Sequence, residues 1–294
     1  MSIQDHDSHK VDSISGTTTT GHSWDGIEEL NTPLPKWWLT ILYASIIWAI
    51  GYVIVYPAIP LVSSFTQGAF GWSSRAAVEA DLAELVQQRA PVVAALSKAS
   101  ITEIEKDPKL LAFARASGRV TFGDNCAPCH GAGGGGAKSY PNLNDDDWLW
   151  GGSAEQIYET IAYGIRSGHP KAHEGNMPAF GRDGLLKPAE ISQVADYVRA
   201  LSGLSTATGY DKAIGAKVFA ENCAACHGDE GKGNQELGAP NLTDQIWLYG
   251  SDKATISESI INGRGNVMPA WVGRLDETTI KALTVYVHTL GGGR

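Results

Sequence analysis

Residues 118–130 read GRVTFGDNCAPCH, and residues 215–227 read GAKVFAENCAACH. Each stretch ends in Cys-x-x-Cys-His: Cys126, Cys129 and His130 in the first, Cys223, Cys226 and His227 in the second. Two cysteines three apart occupy neighbouring helical positions, so both thiols reach the vinyl groups of one porphyrin. The adjacent histidine is then held beneath the iron as a ligand. This is the pattern of covalent haem c attachment, and two covalently bound haem c groups are expected. A four-cysteine zinc site needs its pairs close together, yet 93 residues separate Cys129 from Cys223. A redox dithiol would follow a strand in a βαβ unit, a pattern absent around either pair.

Outward from these motifs the chain repeats itself. PNLNDDDWLWGGS from Pro141 returns as PNLTDQIWLYGSD from Pro240, and ETIAYGIR at 159–166 returns as ESIINGR at 258–264. GNMPAF at 175–180 returns as GNVMPAW at 265–271, and ISQVADYVRALSG at 191–203 as IKALTVYVHTLGG at 280–292. Five elements in one order, twice, give two homologous modules, 118–205 and 210–294, divided in the small-residue stretch SGLSTATG.

Besides Met1 the chain has two methionines, Met177 and Met268, each before a proline in a loop ahead of a module's last helix. Core methionine exchanges with leucine at small cost, so two retained in matching contexts point to a use for the sulfur. Histidine alone leaves the sixth position of haem iron open, and each methionine is placed to fill it. His/Met ligation raises the reduction potential and favours electron transfer over binding of small molecules. Chain order pairs Met177 with His130 and Met268 with His227; exchange of the two methionines between modules satisfies the same pattern. Trp148, Trp247, Arg166 and Arg264 are candidate donors to haem propionates. Gly118 with Phe122, and Gly215 with Phe219, mark a close helix approach at which Tyr197 or Tyr286 is expected to pack.

Other signals are set aside. Gly131–Gly136 formally satisfies GxGxxG but follows a Cys-x-x-Cys-His motif and not a strand. His169 and His173 lie in an insertion that the second module lacks, and are read as solvated loop histidines, not as metal ligands or rivals of Met177. His288, near the end of the last helix, suits a dipole-stabilising residue.

Residues 1–36 are polar, with six acidic and two basic residues, and are read as disordered until about Asp25. From Trp37 to Val62 runs WWLTILYASIIWAIGYVIVYPAIPLV, with no charge between Lys36 and Arg75. The run exceeds the ~20 apolar residues needed to cross a bilayer. Trp37 and Trp38 at one end, with Tyr52 and Tyr56 toward the other, form interfacial belts. Pro57 and Pro60 should end the helix near Tyr56. Residues 63–117 read as a helical connector broken at Pro91 and Pro108. The expected fold is therefore all-α: a 37–62 anchor, the connector and two tandem modules. The net charge of −9 argues against nucleic acid as partner. Haem c is attached outside the bacterial cytoplasm, so the modules and connector are expected in the periplasm, with 1–36 cytoplasmic and a single pass through the inner membrane.

The modules resemble class I cytochromes c over 118–294, which implies the Pro141 and Pro240 carbonyls as acceptors for the ligand histidines' other ring nitrogen. DGIEELNTPLPKWWLTILYASIIWAIGYVIVYPAIP, 25–60, closely resembles the membrane anchor of the dihaem subunit of cbb3-type cytochrome c oxidases, the CcoP/FixP family. The resemblance implies a role in aerobic respiration. Electrons would come from a donor cytochrome c or a quinol-oxidising complex and pass, with the monohaem subunit, to the haem–copper catalytic subunit. Oxygen is reduced there and protons are translocated; this chain would be an electron-transfer subunit with no catalytic residues of its own. A dihaem subunit of another respiratory complex or dehydrogenase is the alternative. A dihaem peroxidase or gas sensor would need an open sixth position, against which both Met-Pro phrases argue.

Overall fold

The computed structural model describes residues 10–292. The chain divides into two compact units, one up to Gln87 and one from Gln88 onward.

The first unit begins with a hairpin of β1 (Thr19–Trp24) and β2 (Ile27–Leu30), antiparallel, with Trp24 opposite Ile27. Asp25 and Gly26 connect them at φ 50° and 83°. Positive φ at both positions of a two-residue connection is the type I′ turn that Asp-Gly favours. The expectation of disorder up to Asp25 is thus corrected over residues 10–24; residues 1–9 lie outside the described residues. The missed signal was the Asp-Gly pair itself. Helix α1 (Lys36–Val55) is 20 residues long and has no buried residue. At ~1.5 Å per residue it spans about 30 Å, the thickness of the hydrocarbon core. It ends where Pro57 dictates, with Tyr56 already extended. Residues 57–72 fold back, and the Ala69 and Phe70 amides donate to the Ile54 and Val55 carbonyls at 2.9 and 3.2 Å. Trp48, Tyr52 and Tyr56 stack along the helix, with centroids 5.3 and 5.0 Å apart.

Helix α2 (Ser74–Lys98) runs through Pro91, which was expected to break it. A proline there removes only one bond, its missing donation to the Gln87 carbonyl, and the Ala-, Leu- and Glu-rich flanks carry the helix across.

In the second unit the helices are α3 (Ile101–Lys106), α4 (Pro108–Asn125), α5 (Ala127–His130), α6 (Ala154–Tyr163), α7 (Pro188–Leu201), α8 (Lys212–Asn222), α9 (Ala224–His227), α10 (Lys253–Asn262) and α11 (Glu277–His288). Their starts are written in the sequence. Asp107, with Pro108 behind it, caps α4; Ser153 and Gln156 form a capping box on α6; Asp211, Asp252 and Asp276 cap α8, α10 and α11.

The packing does not follow the repeat. The last helix of the first copy, α7, lies on α8 and α10 of the second, while α11 lies on α4 and α6 of the first. One core gathers Phe122, Ile157, Ile161, Ile280, Leu283 and Val287; the other gathers Val194, Val198, Val218, Phe219, Ile256 and Ile260. Both glycine contacts are made across copies. A Cβ on Gly118 would stand 2.4 Å from the Ala282 carbonyl and 2.7 Å from the Tyr286 Cβ; on Gly215 it would stand 2.8 Å from the Gln193 carbonyl and the Tyr197 Cβ. Leu96, Ile101 and Ile104 of the connector are buried with Ala114, Ala154, Ala282 and Val285.

Candidate haem sites

Each attachment motif straddles a helix corner. Cys126 and Cys223 cap the short helices α5 and α9, which end on His130 and His227 and are stopped by Gly131 and Gly228 at φ 79° and 78°. His130 Nδ1 lies 3.1 Å from the Pro141 carbonyl, and His227 Nδ1 lies 2.9 Å from that of Pro240. A carbonyl can only accept, so Nδ1 carries the proton in each ring and Nε2 keeps its lone pair. Burial lowers the pKa of both rings, which favours the neutral form that a metal requires. Burial, with the second thiol adding, pushes Cys126 and Cys223 up to about 11. Redox-active dithiols need the opposite shift.

One open cavity is lined by both motifs and both loop methionines. An adjoining cavity is lined by Phe122, Cys126, His130, Pro141, Trp148 and Met268, but by neither Met177 nor Cys223. Met268 packs on the core that also receives Cys126, and Met177 on the core that receives Cys223. Packing thus sets Met268 beside the first motif and Met177 beside the second, the reverse of chain order. The crossing is held by reciprocal backbone bonds, Met177 with Arg264 at 2.9 and 3.2 Å and Met268 with Ile165 at 3.0 and 3.0 Å. Gly164 and Gly263, at φ 74° and 69°, end α6 and α10 there, and a Cβ on either would meet the Met268 or Met177 carbonyl oxygen at 2.4 Å.

The surrounding candidates divide. Trp247 lines the cavity with a buried indole N–H that has no hydrogen-bond partner among the described residues. The Trp148 N–H is already given to the Asp145 carbonyl at 3.0 Å. Arg166 and Arg264 both line the cavity. Arg166 donates to the carbonyls of Asn266, at 2.7 Å, and Gly175; Arg264 donates to Ser259 Oγ at 2.9 Å and covers the Tyr249 ring at 4.0 Å.

His173 is not a solvated loop residue: its ring stacks on Trp150 at 4.3 Å, Nε2 lies 3.1 Å from Thr160 Oγ1, and burial lowers its pKa. His169 likewise stacks on Tyr163 at 4.9 Å. Both were misread because the insertion, having no counterpart, looked like surface. His288 ends α11, with Nδ1 2.5 Å from Glu105 Oε1 of the connector. Trp150 was overlooked. Only 9% exposed, it lines the cavity and lies against Gly238 of the other copy. Its signal was its place in the repeated WLW/WLY phrase, where Tyr249 is its counterpart.

Comparison with known proteins agrees at both ends of the chain. Residues 16–63 match the family described as the N-terminal domain of cytochrome oxidase-cbb3, FixP. Residues 113–198 and 211–287 match cytochrome c oxidase, cbb3-type, subunit III. The cbb3-type cytochrome c oxidase subunit FixP of Bradyrhizobium sp. (strain ORS 278) is 67% identical, covering 98% of this chain and 99% of its own. FixP of Azorhizobium caulinodans is 62% identical over 98% and 99% of the two chains. CcoP of Cereibacter sphaeroides is 50% identical over 94% and 95%.

Proposed function

The chain belongs to the FixP/CcoP family, the cytochrome c electron-transfer subunit of cbb3-type oxidases, and from that membership we propose that it is a two-haem relay. It takes electrons from a donor cytochrome c or a quinol-oxidising complex. It delivers them, together with a monohaem subunit, to the haem–copper subunit that reduces oxygen and translocates protons. Helix α1, the one candidate span among the described residues, anchors it in the bacterial inner membrane, with residues 10–35 in the cytoplasm and both motifs in the periplasm.

The observation that carries the reading is one apolar cavity lined by two Cys-x-x-Cys-His motifs, two tautomer-fixed histidines and two methionines. Haem c, when bound, supplies a one-electron iron couple. Cys126 and Cys129 would tether one group and Cys223 and Cys226 the other. His130 with Met268, and His227 with Met177, would be the axial pairs. The Pro141 and Pro240 carbonyls hold each imidazole in the tautomer whose Nε2 lone pair would be free to bind iron. Phe122, Ile157, Phe219 and Ile256, which line the cavities, would keep water from the iron ligands. Trp247 offers its unpaired N–H to a propionate.

Purification in mild detergent tests the complex: a haem–copper subunit should co-purify, and its absence would return the chain to another respiratory complex or dehydrogenase. The ligand pairs are tested in a chain whose second motif is removed (Cys223→Ala, Cys226→Ala). Met268→Leu there should abolish the near-infrared band of methionine-bound ferric haem, lower the remaining potential and admit carbon monoxide. Met177→Leu should leave the band in place; the reverse result would restore the chain-order pairing.

A further inference from the structure

We propose that the hairpin ahead of the membrane helix docks onto a Lys/Arg-rich cytoplasmic loop of a membrane-spanning subunit of the same oxidase; this rests on the orientation and complex proposed above. At the hairpin's tip Trp24 and Ile27 face each other across the strands, 58% and 73% exposed. Residues 10–31 carry one lysine and four carboxylates, and that lysine, Lys10, is paired with Glu28 at 3.1 Å. An aromatic and an aliphatic anchor ringed by charge is how a protein interface is composed, with apolar centre and polar rim. A ribbon of little more than two strands is also marginal in water until its face packs on something.

Position and charge select the occupant. Residues 31–35 are all that separates Leu30 from the start of α1 at Lys36. Five residues reach at most ~18 Å, so the hairpin stays beside the membrane. Lipid is a poor partner, because the cytoplasmic leaflet is anionic and repels the carboxylates. Loops of multispanning proteins on that side carry an excess of Lys and Arg, the complement of this surface, and an Arg there can lie on the Trp24 ring. Acidic residues weigh little in setting orientation, so an acidic hairpin remains compatible with a cytoplasmic position.

The test places a photoreactive benzoylphenylalanine at Trp24, and separately at Ile27, in the full chain within membranes containing the assembled oxidase. Irradiation should yield an adduct whose peptide maps to a basic cytoplasmic loop of a multispanning subunit. The variant Glu29→Lys, which leaves the Asp25-Gly26 turn intact, should reduce that adduct several-fold. Adducts from both positions to phospholipid, to a second copy of this chain or to nothing would overturn the docking and leave the relay standing, provided the haem–copper subunit still co-purifies. Failure of that subunit to co-purify at all would overturn the relay, and the docking with it.

Discussion

Asp147 illustrates how much a single side chain in the haem crevice can report. Burial, reinforced by the Asp244 and Asp145 carboxylates, pushes its carboxyl up to about 6. The folded chain therefore holds this proton more tightly than the unfolded one. The stability linked to it is complete below the ordinary carboxylate range and is lost as pH rises through about 6. Asp147→Asn cannot ionise, so it should raise the melting temperature by about 2–4 °C near pH 8, after allowance for solvent screening, and by almost nothing near pH 3. Equal gains at pH 8 and pH 3 would show that the amide acts through packing and not charge. At this scale the sequence was most readable for covalent chemistry: the cysteines, histidines and methionines announce themselves by spacing. It was least readable for His173 and the Trp247 N–H, because stacking on Trp150 and a missing partner are properties of neighbours distant in the chain.

Among elements, the helix crossings depend on glycines too close to a neighbour to accept a methyl group. Gly118→Ala would drive a Cβ to 2.4 Å from the Ala282 carbonyl, whereas Gly123, on the same helix, faces open space. The first substitution should cost about 2 kcal/mol and lower the melting temperature by about 4–8 °C; the second should be neutral or slightly stabilising. Circular dichroism melts of the two variants decide this, and similar losses in both would mean that helix propensity, not the crossing, governs the site. The end of α1 was legible from Pro57 and the start of α4 from Pro108. Helix partners were not, since Gly-x-x-x-Phe names a contact without saying whose tyrosine fills it. One clue was available: the linker between α7 and α8 is only ten residues, 202–211, and helices joined so briefly pack as neighbours. The hairpin was likewise readable from Asp25-Gly26, but the polar composition around it masked the turn.

For the molecule as a whole, the exchange of last helices makes the two copies one cooperative body. Each core contains a helix from the other copy, so neither can melt while its neighbour stays intact. Calorimetry of the haem-loaded chain should show one transition for residues 88–294 with matching calorimetric and van't Hoff enthalpies, and Gly215→Ala should displace all of it. Two resolved transitions would mean independent modules. A repeat in sequence predicts two units of architecture, and the family relationship bears out two tandem cytochrome c domains; repetition alone is silent about which halves join. The crossing also bears on ancestry. Duplicated segments are usually free to drift apart, or to be lost, because either copy is self-sufficient. Here deletion of one would orphan half of the other, and a change at Gly118 must be answered near Tyr286 at the opposite end of the gene. The two copies are bound to diverge in step, as an obligate pair.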